Sequence, residues 1–102
     1  MYKLNLPFVL EKCGRWWDKN TEIDVIGVSA NDEIIFGECK WSENQVGLSV
    51  LKELQAKAKE VQWGSKQRKE YFILFSKSGF TEDLVQLQKE QDNLFLVSAE
   101  EF

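Results

Sequence analysis

The stretch that decides the fold runs from Thr21 to Trp41 and reads TEIDVIGVSANDEIIFGECKW. Two runs rich in β-branched residues, EIDVIGVS (22–29) and EIIFGECKW (33–41), flank a short polar segment. Such runs favour strands, and the asparagine and aspartate between them tolerate tight backbone angles. The stretch therefore predicts an antiparallel β-hairpin that is covered on both faces over most of its length.

This hairpin carries three charged residues where apolar ones would be expected, namely Asp24, Glu38 and Lys40. Side chains alternate between the two faces of a strand, so Glu38 and Lys40 share one face. If Ser29 pairs with Glu33 across a three-residue loop, Asp24 lies directly opposite Glu38 on that face. A two-residue loop would put Glu38 on the other side. The odd loop thus predicts two adjacent carboxylates with an ammonium group beside them.

Two carboxylates on directly opposite positions of adjacent strands repel each other unless a cation lies between them. Oxygen ligands of this kind suit Mg²⁺ or Mn²⁺. We therefore predict a divalent-cation site formed by Asp24, Glu38 and the backbone carbonyl of Cys39, whose side chain is expected in the core. Lys40 would orient a nucleophile or offset developing charge. A simpler interpretation stays open, because charged residues at strand ends are common and Glu38–Lys40 would then be a solvated ion pair.

The composition limits what the chain can be. Its 102 residues suffice for one domain, 1–102, with a single core. No apolar run approaches the roughly 20 residues of a membrane span, and the N-terminus does not resemble a signal peptide, so we expect a cytoplasmic protein without a membrane partner. The chain has no histidine, and its two cysteines lack metal-binding spacing. Zinc sites and histidine-based triads are therefore excluded.

A long helix is expected after the hairpin. Apolar residues recur every three or four positions across 42–63, which predicts an amphipathic helix with Ser42 near its N-cap and Gly64 after its end. The stretch before the hairpin, 4–13, is interpreted as a short helix or an extended arm that ends at Gly14.

The rest of the chain repeats the alternation of strand and helix. The apolar run from Glu70 to Ser76 predicts a strand covered on both faces, and Thr81 caps a second helix. A last strand follows within 93–102. The resulting order, β-β-α-β-α-β, predicts an α/β fold with a mixed four-stranded sheet flanked by helices.

Positive charge is concentrated in one part of the sequence. Residues 52–69 carry six basic and two acidic side chains, a local charge of +4 in a chain of net charge −4. This asymmetry predicts an edge that contacts nucleic-acid phosphates, and a solvated helix face with a charged loop is the alternative. The predicted edge comprises one aromatic residue for stacking and five basic residues: Trp63, Lys52, Lys59, Lys66, Arg68 and Lys69.

The charged positions of the hairpin form a D-x(n)-E-x-K pattern, which resembles the signature of the PD-(D/E)XK, or restriction-endonuclease-like, superfamily. FILFSKSGFTEDL (72–84) is similar to a stretch of Mrr-type members. GRWWDKNTEIDVIGVS (14–29) and FGECKW (36–41) are similar to the C-terminal domain of prokaryotic archaeal-type P-loop ATPases. The resemblance implies a restriction-endonuclease-like core and Mg²⁺-dependent cleavage of DNA. It also implies that Asp24 and Glu38 are metal ligands and that Lys40 is the catalytic lysine.

The resemblance further implies supporting residues and partners. Glu22 is expected to assist Asp24, Glu11 is the candidate for an acid from a preceding helix, and Gln55 matches a polar position near the site. Because no GxxxxGK[ST] motif occurs, we expect a domain excised from the C-terminus of a larger ATPase chain. Its expected partners are DNA, a P-loop ATPase domain in cis and a second copy of the chain. Two alternatives stay open: a non-catalytic regulatory or interaction domain of an ATPase, and a nucleic-acid-binding module without cleavage.

Overall fold

The computed structural model describes residues 12–17 and 22–99. In this part, five strands form one sheet in the order β1-β2-β3-β4-β5. The strands are β1 (Lys12–Trp17), β2 (Glu22–Val28), β3 (Glu33–Lys40), β4 (Lys69–Ser76) and β5 (Leu94–Ser98), and the helices are α1 (Leu48–Ala58) and α2 (Glu82–Glu90). The β1–β2 and β2–β3 pairs are antiparallel, and the β3–β4 and β4–β5 pairs are parallel. The mixed α/β fold class is confirmed.

Strand β1 is an addition to the four predicted strands. It pairs with β2 at the edge of the sheet, with a register shift between Gly14 and Trp16. We expected the first segment to end at Gly14, whereas the glycine lies inside this strand. The sequence gives little sign of β1, because a glycine and an irregular register break the alternation on which strand prediction depends.

The β2–β3 hairpin has the predicted three-residue loop. The Ser29 N–H donates to the Glu33 carbonyl at 2.9 Å, and Val25 lies opposite Gly37. Asp32, the last residue of the loop, has φ of 61°, in the left-handed region that aspartate tolerates. The ladder pairs Val25–Val28 with Ile34–Gly37, which confirms the predicted register over these residues. It ends one residue before Asp24 and Glu38, where β2 has an extra residue between its pairings with Gly14 and Trp16.

Both helices pack on one face of the sheet, the face to which the acid pair belongs. Ile34 and Phe36 of β3 form one cluster with Leu54 of α1 and Leu84 of α2. Glu38 continues the same alternation along β3. The opposite face carries a smaller cluster of Ile35, Ile73 and Val97. The acids therefore lie beneath the helix layer.

Helix α1 is shorter than its apolar pattern suggested. Its N-cap is Gly47 rather than a residue near Ser42, and it ends at Ala58, well before Gly64. The cause is a bridge between Val46 and Phe80. This bridge holds Val46 in extended backbone next to the end of β4, so the helix cannot begin earlier.

Helix α2 begins directly after Thr81, at the predicted position, and carries Glu82 and Asp83 in its first turn. Acidic residues are favourable there because they face the positive end of the helix dipole. The Thr81 hydroxyl makes no capping hydrogen bond to the helix backbone and donates to the Asp83 carboxylate instead. Neither helix in the described part of the chain is long and apolar enough to cross a membrane.

Candidate functional site

The predicted acid pair lies where β2 begins and β3 ends. The ladder between β2 and β3 ends with the pair Val25 and Gly37, one residue before Asp24 and Glu38. Asp24 lies close enough to Glu38 for the two carboxylates to repel each other. The Cys39 N–H donates to Asp24 Oδ2 at 3.0 Å. This bond fixes the Asp24 carboxylate against the end of β3.

Glu38 is a buried carboxylate with incomplete hydrogen bonding. The residue is 9% exposed, and within the described part of the chain its Oε2 accepts no hydrogen bond. Two ammonium groups lie nearby, Lys40 Nζ at 3.7 Å from Oε1 and Lys57 Nζ at 3.5 Å from Oε2. Burial raises the pKa of Glu38, Asp24 adds to the rise, and the two lysines oppose it. Burial of such a group costs free energy that the fold must offset.

Lys57 is the residue of the site that sequence reasoning missed. The resemblance implied only a possible assisting role for Gln55, and the side chain that α1 brings to Glu38 is that of Lys57. A signal was present, because Lys57 lies three residues after the buried Leu54 and directly before the buried Ala58. A lysine at this border of the apolar stripe can bury its stem and direct its charge toward the sheet.

The donor set fits a hydrated divalent cation. Among residues 12–17 and 22–99, no group of three or more His, Cys, Asp or Glu is placed to hold a metal. Mg²⁺ nevertheless commonly binds through one or two carboxylates together with waters and substrate phosphates. Asp24 and the unsatisfied Oε2 of Glu38 meet that requirement.

The backbone carbonyl of Cys39 faces the candidate cation site. The Lys77 N–H donates to the Lys40 carbonyl, so the Lys40 carbonyl points toward β4. Because carbonyls alternate along a strand, that of Cys39 points toward β2 and Asp24. The Cys39 side chain, which we expected in the core, is exposed, since the cover over this face of the sheet ends at the last residues of β3.

Two further acids cannot be placed by their side chains. The backbone of Glu22 pairs with Trp17 at the start of β2, and its side chain lies outside the described part of the structure. Glu11 lies outside the described residues altogether. Their assisting roles stay predictions.

The predicted nucleic-acid edge lies at the other end of the sheet. Lys69 pairs with Glu33, five residues from Glu38 along β3, which corresponds to about 16 Å. Lys59, Trp63 and Lys66 line a cleft of about 730 Å³ in this region. Lys52 is exposed on α1. Lys69 therefore does not border the acid pair, whereas Lys52 lies on the same helix as Lys57, which contacts Glu38.

Arg68 was expected to contact phosphate, but its guanidinium is used within the fold. Its five N–H groups all donate, to the backbone carbonyls of Ala58, Val61 and Trp63 and twice to the Glu70 carboxylate. The guanidinium also lies 5.5 Å from the centre of the Phe36 ring. No donor remains for a phosphate, so Arg68 joins the end of α1 to β4. Trp63 is half-buried against the core instead of fully exposed on an edge.

Known proteins resemble this chain in family and in fold. A model of the DUF234 family, described as archaea bacterial proteins of unknown function, matches residues 1–73. An uncharacterized protein of Methanocaldococcus jannaschii is 46% identical over 43 residues, which are 40% of this chain and 10% of that protein. The crystal structure of a repair endonuclease from Pyrococcus abyssi matches with a TM-score of 0.53 and 21% identity, covering 90% of this chain and 40% of that one.

The structural likeness confirms the fold, and the activity has to be argued from the site itself. The chain spans about a tenth of the Methanocaldococcus jannaschii relative and two fifths of the endonuclease. At 21% identity, the match shows that this chain shares the fold of part of that endonuclease. The expected ATPase context stays a prediction.

Proposed function

The chain belongs to the DUF234 family of archaea bacterial proteins of unknown function, and we propose that it is a divalent-cation-dependent nuclease domain acting on DNA phosphodiesters. The observation that carries the proposal is the buried Glu38, which lies next to Lys40, is near enough to Asp24 for their charges to repel, and has an oxygen left without a hydrogen bond. A carboxylate with a raised pKa and an unsatisfied atom is typical of functional sites. The fold shared with a repair endonuclease supports the proposal.

Each residue has a role in this proposal. Asp24, Glu38 and the carbonyl of Cys39 would hold Mg²⁺ or Mn²⁺. When bound, such a cation supplies Lewis-acid stabilisation of the phosphate charge and activation of water. The Lys40 side chain is 40% exposed, so its ammonium group is accessible to a phosphate and can offset charge that develops on it.

The test is DNA cleavage with added Mg²⁺ or Mn²⁺. We expect Asp24→Asn and Lys40→Ala to abolish cleavage, each in a folded protein. Lys89→Ala is the matched control, because it removes the same charge from an exposed position of α2 outside the predicted nucleic-acid edge. Cleavage that persists without a divalent cation, or in Asp24→Asn, would contradict the proposal.

One observation favours a second candidate function. The two carboxylates face two ammonium groups, so the cluster is electrically balanced without any cation. Such a cluster would suit a non-catalytic interaction or regulatory domain of an ATPase, with an ATPase domain in cis or a second copy of the chain as partner. Calorimetry separates the candidates: this second one predicts no heat of Mn²⁺ binding and no effect of Asp24→Asn on it.

A further inference from the structure

The ammonium group of Lys57 lies beside Oε2 of Glu38, an oxygen that the nuclease proposal assigns to a cation. We infer that Lys57 is a positioning residue that occupies the cation's place beside Oε2 of Glu38 and competes with the cation for that oxygen. The inference rests on the proposed function, because it assumes that a divalent cation binds between Asp24 and Glu38. It adds a residue of α1 to a site otherwise formed by the hairpin.

The contact geometry suits a displaceable group. Lys57 Nζ lies 3.5 Å from Oε2, which is at the long limit of a hydrogen bond, so the contact is mainly an attraction between charges. The Lys57 side chain is 31% exposed, so the ammonium group can move into water while α1 stays in place. The Lys57 ammonium group therefore balances the charge of the buried Glu38 when no cation is bound, and a cation can displace it.

Charge counting gives the reason for the competition. Asp24 and Glu38 contribute two negative charges, and Lys40 and Lys57 contribute two positive ones. A divalent cation added to this balanced cluster meets two like charges, and the one beside Oε2 opposes it at the shortest distance. Removal of the Lys57 charge should therefore strengthen cation binding, whereas removal of an exposed lysine elsewhere on α1 should have little effect.

The test is direct Mn²⁺ binding to the full chain, measured by electron paramagnetic resonance of the free ion. We expect Lys57→Gln to bind Mn²⁺ about fivefold more tightly than the wild type, the ratio that corresponds to loss of an ion pair worth about 1 kcal/mol. Lys57→Arg keeps the charge and should remain near the wild type. Lys52→Gln, on the same helix, controls for overall charge.

The outcomes separate this inference from the proposed function. Equal affinities for Lys57→Gln and Lys52→Gln, or weaker binding by Lys57→Gln, would overturn the role of Lys57 while leaving the cation site intact. Absence of binding in every variant would overturn both. Asp24→Asn must remove binding from the wild type and from Lys57→Gln, because binding that survives it would place the ion elsewhere and overturn both as well.

Discussion

The two ends of strand β3 treat charged side chains in opposite ways. At its first end, Asp32 accepts hydrogen bonds from the backbone N–H and the hydroxyl of Ser65, and Arg68 uses all five of its donors. At its last end, Glu38 is buried with an oxygen that accepts no hydrogen bond from the described residues. A fully bonded polar cluster stabilises a fold, whereas a partly bonded one costs free energy. The contrast separates scaffold from candidate chemistry.

The first end is built as a clasp between β3 and the loop after α1. Asp32 and Gly64 both have positive φ, of 61° and 73°. A Cβ atom at Gly64 would lie 2.5 Å from Oδ1 of Asp32, so only glycine lets the loop approach this closely. The Lys69 N–H also donates to the Asp32 carbonyl at 2.9 Å. Of the basic stretch, the Arg68 side chain and the Lys69 backbone thus serve to close the fold.

The largest expected effect is on activity at the last end. Lys40→Ala should lower Mg²⁺-dependent DNA cleavage at least about a hundredfold, because it removes a charge that stabilises the transition state. Its free energy of unfolding should stay within about 0.5 kcal/mol of the wild type, since the side chain is substantially exposed. Nuclease assays and urea denaturation measure the two quantities. If Lys40→Ala cleaved DNA as fast as the wild type, the last end of β3 would not be the catalytic end of the strand.

The next largest effect is on stability at the first end. Arg68→Ala should lower the free energy of unfolding by about 2 kcal/mol, because the buried guanidinium bonds the end of α1 to β4. Urea denaturation followed by circular dichroism measures the loss. Lys66→Ala, at an exposed position of the same loop, is the matched control and should change stability by less than about 0.5 kcal/mol.

Arg68→Lys refines this prediction. Lysine keeps the charge but lacks the planar fork, so it should recover less than half of the loss. If Arg68→Ala proved as stable as Lys66→Ala, the clasp would not hold the fold together and the two ends of β3 would no longer differ in the way described.

The sequence was sufficient for the hairpin and for its register over Val25–Val28 and Ile34–Gly37, because alternation has a period of two and an odd loop sets that register. The extra residue of β2 between Ile23 and Ile26 could not be predicted from alternation. The partners of long side chains could not be read in the same way. Arg68 and Lys57 both belong to a basic stretch, but one bonds carbonyls and the other meets Glu38, and only tertiary packing decides which. The composition of a stretch predicts its net charge, but not which group each charged side chain contacts.

Strand β1 and the start of α1 escaped prediction for a related reason. The start of α1 is set by the bridge between Val46 and Phe80, residues far apart in the sequence. Strand β1 gains its hydrogen bonds from β2 and has an irregular register there. Contacts between residues that are far apart in the sequence override local propensity, and the local sequence pattern does not reveal them.

A smaller effect concerns the pH dependence of stability at the last end. The pKa of Glu38 is raised in the folded state, so the folded protein keeps this proton at pH values where the unfolded chain has lost it. Stability should therefore fall as the pH rises from the ordinary value of 4.5 through the folded pKa. Glu38→Gln cannot titrate, so its stability relative to the wild type should increase over that window. Thermal unfolding between pH 4 and pH 8 measures the difference.

Glu53→Gln is the control for Glu38→Gln, because it neutralises an exposed carboxylate of α1. Its stability relative to the wild type should show a weaker dependence on pH over the same window. A difference between Glu38→Gln and wild type that stays flat with pH would show that burial does not penalise the Glu38 charge, and the last end of β3 would then resemble the first.

The smallest effect has the opposite sign and belongs to Asp32. The hydroxyl and then the N–H of Ser65 lower the pKa of this carboxyl in the folded state. Its stabilising contribution is present above the unfolded value of 3.8 and is lost as the pH falls through the lower, folded pKa. Asp32→Asn tolerates the same backbone angles but cannot titrate. The free energy of unfolding of Asp32→Asn should therefore increase relative to that of the wild type as the pH falls below 3.8. Solvent screening keeps this change small.

Thermal unfolding of Asp32→Asn between pH 2 and pH 6 tests this sign, and Ser65→Ala should weaken the same acid dependence because it removes the hydroxyl donor. Glu38→Gln gains on the wild type with rising pH, and Asp32→Asn gains with falling pH. If both variants responded in the same direction, the carboxylates at the two ends of β3 would share one kind of environment. The division between a bonded scaffold and an unsatisfied site would then have to be abandoned, even if Lys40→Ala were inactive.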